Sequence, residues 1–133
     1  NTDIIILTLG TPVDEHLNPI FSQIESVIRS IVINLRSGQL IILRSTVSPG
    51  TTEYIKRYIE SNTQLKIGED IFLAFCPERI AEGKSIDEIP EIPQIIGTLD
   101  KKSAEKAEEL FVILMTTLRF VFMHFMKINS SMM

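Results

Sequence analysis

Three short apolar runs, each ending in a polar turn, constrain the fold of this chain more than any other feature. They occupy residues 3–9, 40–43 and 71–75 and are rich in Ile and Leu. Because each run is short and apolar without alternation, we interpret all three as buried, parallel strands. A fourth short strand is expected at residues 94–97.

Amphipathic helices are predicted between these strands. Apolar residues recur at steps of three and four from residue 18 to 36, with Asn18 as the N-cap and Pro19 at the first helical position. A shorter helix is expected at 52–61, and another from Asp100, its cap, to Leu114. This alternation predicts an α/β fold with right-handed crossovers, a parallel sheet and helices on both faces.

Composition excludes several function classes. The net charge of -4 provides no basic surface for a nucleic acid. The single cysteine, Cys76, suits a reducing, cytoplasmic compartment, and with only two histidines the chain offers no metal site. The apolar segment 110–128 is interrupted by polar and charged residues, so we expect no membrane span there. It is either a buried or partner-facing helix or an aberrant end of the chain.

Ligands of parallel α/β sheets bind beyond the carboxyl ends of the strands. The most polar, turn-rich segments lie there, at 10–14, 44–50 and 77–83. From the residues alone, the hydroxyls of these turns could contact a ligand or could only shape the turns. Glu78 and Glu82 could likewise form a general-base pair or a solvated charged turn. Cys76 is expected to be a buried, unreactive thiol.

The glycine spacing contains neither G-x-G-x-x-G nor a P-loop. The three turn segments nevertheless resemble, in this order, the UDP-glucose/GDP-mannose dehydrogenase family of NAD-dependent nucleotide-sugar 6-dehydrogenases. Their sequences are Gly-Thr-Pro-Val-Asp-Glu-His-Leu-Asn-Pro (10–19), Ser-Thr-Val-Ser-Pro-Gly-Thr-Thr (45–52) and Cys-Pro-Glu-Arg-Ile-Ala-Glu-Gly (76–83). The first and third forms are most similar to the branch acting on UDP-N-acetylhexosamines, UDP-N-acetylmannosamine in particular.

The resemblance implies part of a Rossmann-like domain, NAD as the cofactor and a nucleotide sugar as the substrate, whose C6 alcohol is oxidised to a carboxylate in two steps. It implies cofactor contacts from Thr11, Pro12, Ser45, Thr46 and Glu82. It implies substrate contacts from Glu78, Arg79 and Ile80. The catalytic residues that it implies are Thr46 and Glu82, holding the hydrolytic water, Glu78, as a second carboxylate in proton transfer, and Asn129.

The chain also departs from the family pattern. We expect the family's glycine-rich turn before Asn1 and its nucleophilic cysteine beyond Met133, so Cys76 does not fill that role. A family helix of the form Glu-Met-x-Lys-x-x-x-Asn-Ser aligns with 122–130, where Phe122 and Phe125 replace the acid and the lysine. We therefore expect residues 1–115 to be the second half of an NAD-binding domain and 116–133 the divergent start of a central, dimerising helix.

Two other functions remain open at this stage. The chain could be a non-catalytic half-domain that pairs its sheet edge or apolar C-terminal segment with another chain, or a small doubly wound domain binding another ligand. An unpaired first strand and the apolar segment 110–128 would favour self-association, so we expect a homo-oligomer.

We expect the 133-residue chain by itself to produce no NADH from NAD and any UDP-sugar. The reason is that the glycine-rich turn and the nucleophilic cysteine are both missing from these residues. The measurement is NADH absorbance with purified chain and a panel of UDP-sugars. Steady NADH production that persists through stringent repurification would contradict the expectation.

Overall fold

The computed structural model describes residues 2–9, 22–79, 94–114 and 120–124. Its five strands form one sheet in the order β1-β2-β3-β4-β5. In chain order the elements are β1 (Ile4–Leu7), α1 (Ser22–Val32), β2 (Leu40–Leu43), α2 (Thr51–Asn62), β3 (Phe72–Phe75), β4 (Gln94–Thr98), α3 (Lys101–Leu114) and β5 (Phe120–His124). The α/β fold class is confirmed, and β1 to β4, α2 and α3 lie within two residues of their predicted bounds.

The first three strands are parallel, as predicted, and β2 lies between the other two. All four residues of β2 are buried, because the sheet is covered on both faces. Ile41 and Leu43 pack with α1 and α2, whereas Leu40 and Ile42 pack with α3. Side chains of a strand alternate between faces, so this apolar run serves two cores at once.

The fourth strand corrects the prediction of a wholly parallel sheet. β4 runs antiparallel to β3, with Ala74 opposite Thr98 and Phe75 opposite Gly97. A parallel connection needs a crossover, usually a helix, whereas an antiparallel return does not. The segment before β4 contains Pro90 and Pro93 and has no amphipathic helical pattern. An antiparallel return is therefore consistent with the sequence that precedes it.

The C-terminal region corrects the prediction of a helix over 110–128. Helix α3 extends to Leu114, and residues 120–124 form β5, which is parallel to β4. Aromatic and β-branched residues such as Phe120, Val121 and Phe122 favour strands, and here β4 supplies a partner. Asn129 and the rest of the proposed family helix beyond His124 lie outside the described residues, so the division into two domains stays a prediction.

Helix α1 also ends earlier than predicted, at Val32 instead of residue 36. The chain tightens there, since the amide of Asn34 donates to the carbonyl of Ile31 and that of Leu35 to Val32. The predicted start at Asn18 lies outside the described residues. Among the helices described, none has the length and apolar character needed to cross a membrane.

A side-chain network fixes α3 to the sheet. Asp100 caps the helix as predicted, because its Oδ1 accepts from the amide of Ser103 at 2.8 Å. The buried Ser103 hydroxyl donates to Asp100 Oδ2 at 2.7 Å and accepts from the amide of Leu73 in β3 at 3.1 Å. Gly68 abuts the same carboxylate at a φ of +87°, and a Cβ there would lie 2.7 Å from Asp100 Cγ.

Cys76 follows β3 and is fully buried in the core on the α3 side, as predicted. Burial raises the pKa of its thiol to about 12, and the positive charge of Arg44 lowers it only in part. Near neutral pH the thiol is therefore protonated as well as buried. Because only the thiolate is a strong nucleophile, Cys76 is unreactive under these conditions.

We expect Ser103→Ala to lower the free energy of unfolding by about 1–3 kcal/mol, because the buried amide of Leu73 loses its acceptor. The control is Ser30→Ala, whose exposed hydroxyl donates only to the carbonyl of Val27 within α1. That change should stay within about 0.5 kcal/mol. Urea unfolding of both variants makes the comparison, and equal effects would show that the Leu73–Ser103 bond contributes no stability.

We expect Cys76 to resist a thiol reagent at pH 8 in the folded chain and to react rapidly in guanidinium chloride.

The raised pKa also makes a prediction about alkaline stability. The neutral thiol stabilises the fold fully below the unfolded pKa of 9.0, and this contribution is lost as pH rises from 9.0 to about 12. Stability should therefore fall more steeply over that range in the wild type than in Cys76→Ala. Parallel slopes would contradict the assignment.

Candidate functional site

Three neighbouring chain segments meet at the carboxyl ends of β1, β2 and β3. The amide of Arg44 donates to the carbonyl of Leu7 at 2.9 Å, and the amide of Cys76 donates to Leu43 at 2.8 Å. One step further, the amide of Glu78 donates to the carbonyl of Arg44 at 2.8 Å. Backbone hydrogen bonds thus continue beyond the strand ends and bring the polar turns together at one edge. We call this edge the rim (Thr8–Leu9, 44–46 and 76–79).

Because β4 runs against β3, its first residue also lies at the rim. Gln94 is buried there, and its side-chain oxygen accepts a hydrogen bond from Arg44 Nη1 at 2.8 Å. The antiparallel strand therefore brings a polar side chain to the site.

Arg44 is the centre of the rim. Besides Gln94, its Nη1 donates to the carbonyl of Cys76 at 3.0 Å, and its Nη2 donates to Glu78 Oε2 at 2.5 Å. The guanidinium carbon lies 5.5 Å from the centre of the Phe111 ring of α3, within range of a cation–π interaction. With only 18% of its side chain exposed, Arg44 joins β2, β4, α3 and the segment after β3.

The Glu78 carboxylate is held at both oxygens. Oε2 accepts from Arg44, and Oε1 accepts from the amide of Arg79 at 2.8 Å. The side chain is nevertheless 44% exposed, so this fixed carboxylate still faces solvent. Its predicted pairing with Glu82 concerns a residue outside the described ones and stays a prediction.

The turn after β2 leads into α2. Ser45 is half-buried and Thr46 is exposed. Gly50 precedes the helix with a φ of +85°, and it provides no side-chain cap for the first amides. The hydroxyl of Thr51 is buried and has no hydrogen-bond partner among the described residues.

The structure places four of the predicted site residues at the rim, namely Ser45, Thr46, Glu78 and Arg79. The others lie outside the described residues, namely Thr11, Pro12, Ile80, Glu82 and Asn129. Thr11 and Glu82 belong to two of the three turn segments expected at this edge, and their approach to Thr46 stays a prediction.

Sequence reasoning did not identify Arg44 or Gln94 as functional residues. A signal for Arg44 was present, because it is a charged residue directly after four buried apolar ones. No comparable signal marked Gln94, whose position depends on the reversed direction of β4.

Two cavities lie at the other end of the sheet. One, of about 490 Å³, is lined by Thr2, Ile4 and Gln39, which precede or begin β1 and β2. The other, of about 360 Å³, is lined by Lys56, Glu60 and the loop before β3. In the parts of the chain that the structure describes, His, Cys, Asp and Glu form no cluster of three that could hold a metal ion.

Comparison with known proteins agrees with the resemblance. The model of the UDP-glucose/GDP-mannose dehydrogenase family, NAD binding domain, matches residues 1–115. The UDP-N-acetyl-D-mannosamine dehydrogenase of Pyrococcus horikoshii is 34% identical over 110 residues, which cover 83% of this chain and 26% of that protein.

Two solved structures have the same fold. The UDP-D-ManNAc dehydrogenase of Pyrococcus horikoshii has a TM-score of 0.84 at 32% identity, over 92% of this chain and 29% of that one. The NDP-N-acetyl-D-galactosaminuronic acid dehydrogenase of Methanosarcina mazei Go1 has a TM-score of 0.81 at 36% identity, over 92% of this chain and 26% of that one.

The chain spans about a quarter of the length of the curated relatives it matches, 26% in the Pyrococcus protein. The family match covers residues 1–115, which are most of this chain. By this match the chain belongs to the UDP-glucose/GDP-mannose dehydrogenase family, and the matched residues are those of its NAD-binding domain.

Proposed function

We propose that this chain contributes the NAD-binding part of a dehydrogenase that oxidises the C6 alcohol of UDP-N-acetylmannosamine to the uronic acid. The observation that carries the proposal is the rim, where the Ser45–Thr46 turn and the Glu78–Arg79 turn are joined by the hydrogen bond from the Glu78 amide to the Arg44 carbonyl. One turn offers hydroxyls and the other a fixed carboxylate. A cofactor and an alcohol substrate bound together need both kinds of group nearby.

The reaction sets the requirements for this site. Oxidation of a primary alcohol to a carboxylate removes two hydrides and takes the second carboxylate oxygen from water. NAD supplies the hydride acceptor when it is bound, and each step also releases a proton from oxygen. Protein groups must therefore hold the alcohol, orient a water molecule and accept protons.

The described residues fit one part of a dinucleotide. Ser45 and Thr46 carry hydroxyls at the carboxyl end of a central parallel strand, where such ligands bind. Gly50 leaves open space at its Cα, and the α2 N-terminus beyond it has no side-chain cap. These groups suit the ribose or amide portion of NAD, while the sequence has no glycine-rich motif for the pyrophosphate.

We assign the remaining roles as proposals from the family resemblance. The cofactor is contacted by Thr11, Pro12, Ser45, Thr46 and Glu82. Glu78, Arg79 and Ile80 contact the nucleotide sugar, Thr46 and Glu82 hold the hydrolytic water, and Asn129 completes the catalytic set. The exposure of the Glu78 carboxylate supports a role in which it reaches the substrate.

The choice of substrate rests on two kinds of support. The motifs at 10–15 and 77–80 are most similar to the branch acting on UDP-N-acetylhexosamines. The relative in Pyrococcus horikoshii is named for UDP-N-acetyl-D-mannosamine.

The test uses the complete gene product that contains these residues. NADH formation should be fastest with UDP-N-acetylmannosamine, exceeding UDP-glucose and GDP-mannose by about tenfold or more in kcat/KM, which is about 1.4 kcal/mol. Thr46→Val should lower kcat by about tenfold or more, because a water-holding hydroxyl is lost. The control Thr2→Val, at the other end of the sheet, should not change it. A preference for UDP-glucose would overturn the substrate, and no activity with any nucleotide sugar would overturn the function.

A second candidate is a non-catalytic interaction module. One observation favours it: among the described residues β1 pairs only with β2, and its Ile6 is 51% exposed. A chain that associates through β1 without binding NAD would support this alternative. Calorimetric titration with NAD, together with light scattering on wild type and Ile6→Lys, distinguishes the two candidates.

A further inference from the structure

We propose that Arg44 is a positioning residue that sets the orientation of the Glu78 carboxylate at the rim. The inference rests on the proposed function in one respect, since it takes Glu78 to act on the nucleotide sugar. Arg44 itself acts only through Glu78 and the segment 76–79.

Arg44 holds this segment by both its main chain and its side chain. Its carbonyl accepts from the Glu78 amide, while its guanidinium donates to the Glu78 carboxylate and to the carbonyl of Cys76. Two residues of the segment are thus tied to one arginine. The Glu78 side chain can leave its observed orientation only by breaking a charge-assisted hydrogen bond.

The guanidinium is itself held in place. Gln94 and the Cys76 carbonyl both accept from Nη1, which leaves Nη2 aimed at Glu78. The guanidinium carbon also lies over the Phe111 ring, 5.5 Å from its centre, within cation–π range. Gln94 is almost fully buried and its amide nitrogen donates to the Ile95 carbonyl, so the acceptor for Arg44 is fixed as well.

This geometry requires an arginine. A planar guanidinium offers several donors in a fixed arrangement and also stacks on an aromatic ring. A lysine ammonium is a single point charge that cannot keep three acceptors in this arrangement. Lysine therefore preserves the charge and removes the alignment.

The contrast with an ordinary ion pair is visible in the same chain. Arg29 and Glu25 form a pair at 2.6 Å on the surface of α1, with side chains 65% and 38% exposed. Such pairs tolerate exchange of arginine for lysine, because water and side-chain freedom replace any lost contact. Arg29→Lys is therefore the matched control for Arg44→Lys.

The first experiment is a double-mutant cycle with Arg44→Lys, Glu78→Gln and the double variant in the complete gene product. We expect Arg44→Lys to lower kcat by about tenfold or more at a temperature where circular dichroism shows it folded, with the KM for NAD changed by less than about threefold. The combined loss in kcat should be smaller than the product of the single losses, because both changes remove the same alignment. Arg29→Lys should leave kcat unchanged.

Two outcomes overturn the proposal. One is Arg44→Lys with the kcat of the wild type. The other is a combined loss equal to the product of the single losses, which would mean that Arg44 affects kcat independently of Glu78.

The second experiment does not depend on activity and uses the 133-residue chain. In Arg44→Lys, the amides of Glu78 and Arg79 should exchange with deuterium about tenfold faster or more, because the segment loses its anchor. The amides of Ile41 to Leu43 in the sheet should keep their protection. Unchanged exchange at Glu78 and Arg79 would overturn the proposal. If the wild-type gene product forms no NADH, the proposed function fails, and the exchange measurement still decides whether Arg44 holds the segment.

Discussion

The complete burial of β2 between two parallel neighbours and two helical layers is the constraint on which the rest of this structure depends. The four apolar side chains of β2 are buried on both faces of the sheet, and its main chain pairs with β1 on one side and β3 on the other. Where that burial ends, the next residue can be charged, and it is Arg44. Its position beside the neighbouring strand ends follows from the same pairing, because the register of the sheet fixes which residues meet beyond it. Site and core are therefore two parts of one hydrogen-bonding pattern.

The parts of the fold that could be predicted are those with a local cause. The apolar run of β2, the helical periodicity around Ile24 and Ile28 and the cap at Asp100 are all encoded within a few residues, and the structure contains each of them. The reversed direction of β4 and the strand at 120–124 could not be predicted in this way. Both depend on which partner edge is available, and a strand needs a partner from distant sequence.

The site divides along the same line. The polar turns after β2 and β3 were predictable, because carboxyl ends of parallel strands meet at one edge. The contact between Glu78 and Arg44 was not predictable, because the two residues lie 34 positions apart in the sequence. A carboxylate pinned by a cation and by a backbone amide is a fixed acceptor that still faces solvent. Whatever chemistry it serves begins from one defined geometry, and little reorganisation is needed to use it.

The hydrogen bond between Arg44 and Gln94 spans 50 residues of sequence. Bringing the ends of so long a segment together costs conformational entropy, although the cost grows only slowly with length. The alignment of Arg44 therefore depends on β4 being docked beside β3. A partly unfolded state that kept β1 to β3 but released β4 would retain the core formed with α1 and α2, while its arginine would lose the Gln94 acceptor. In such a molecule the site would melt before the domain does.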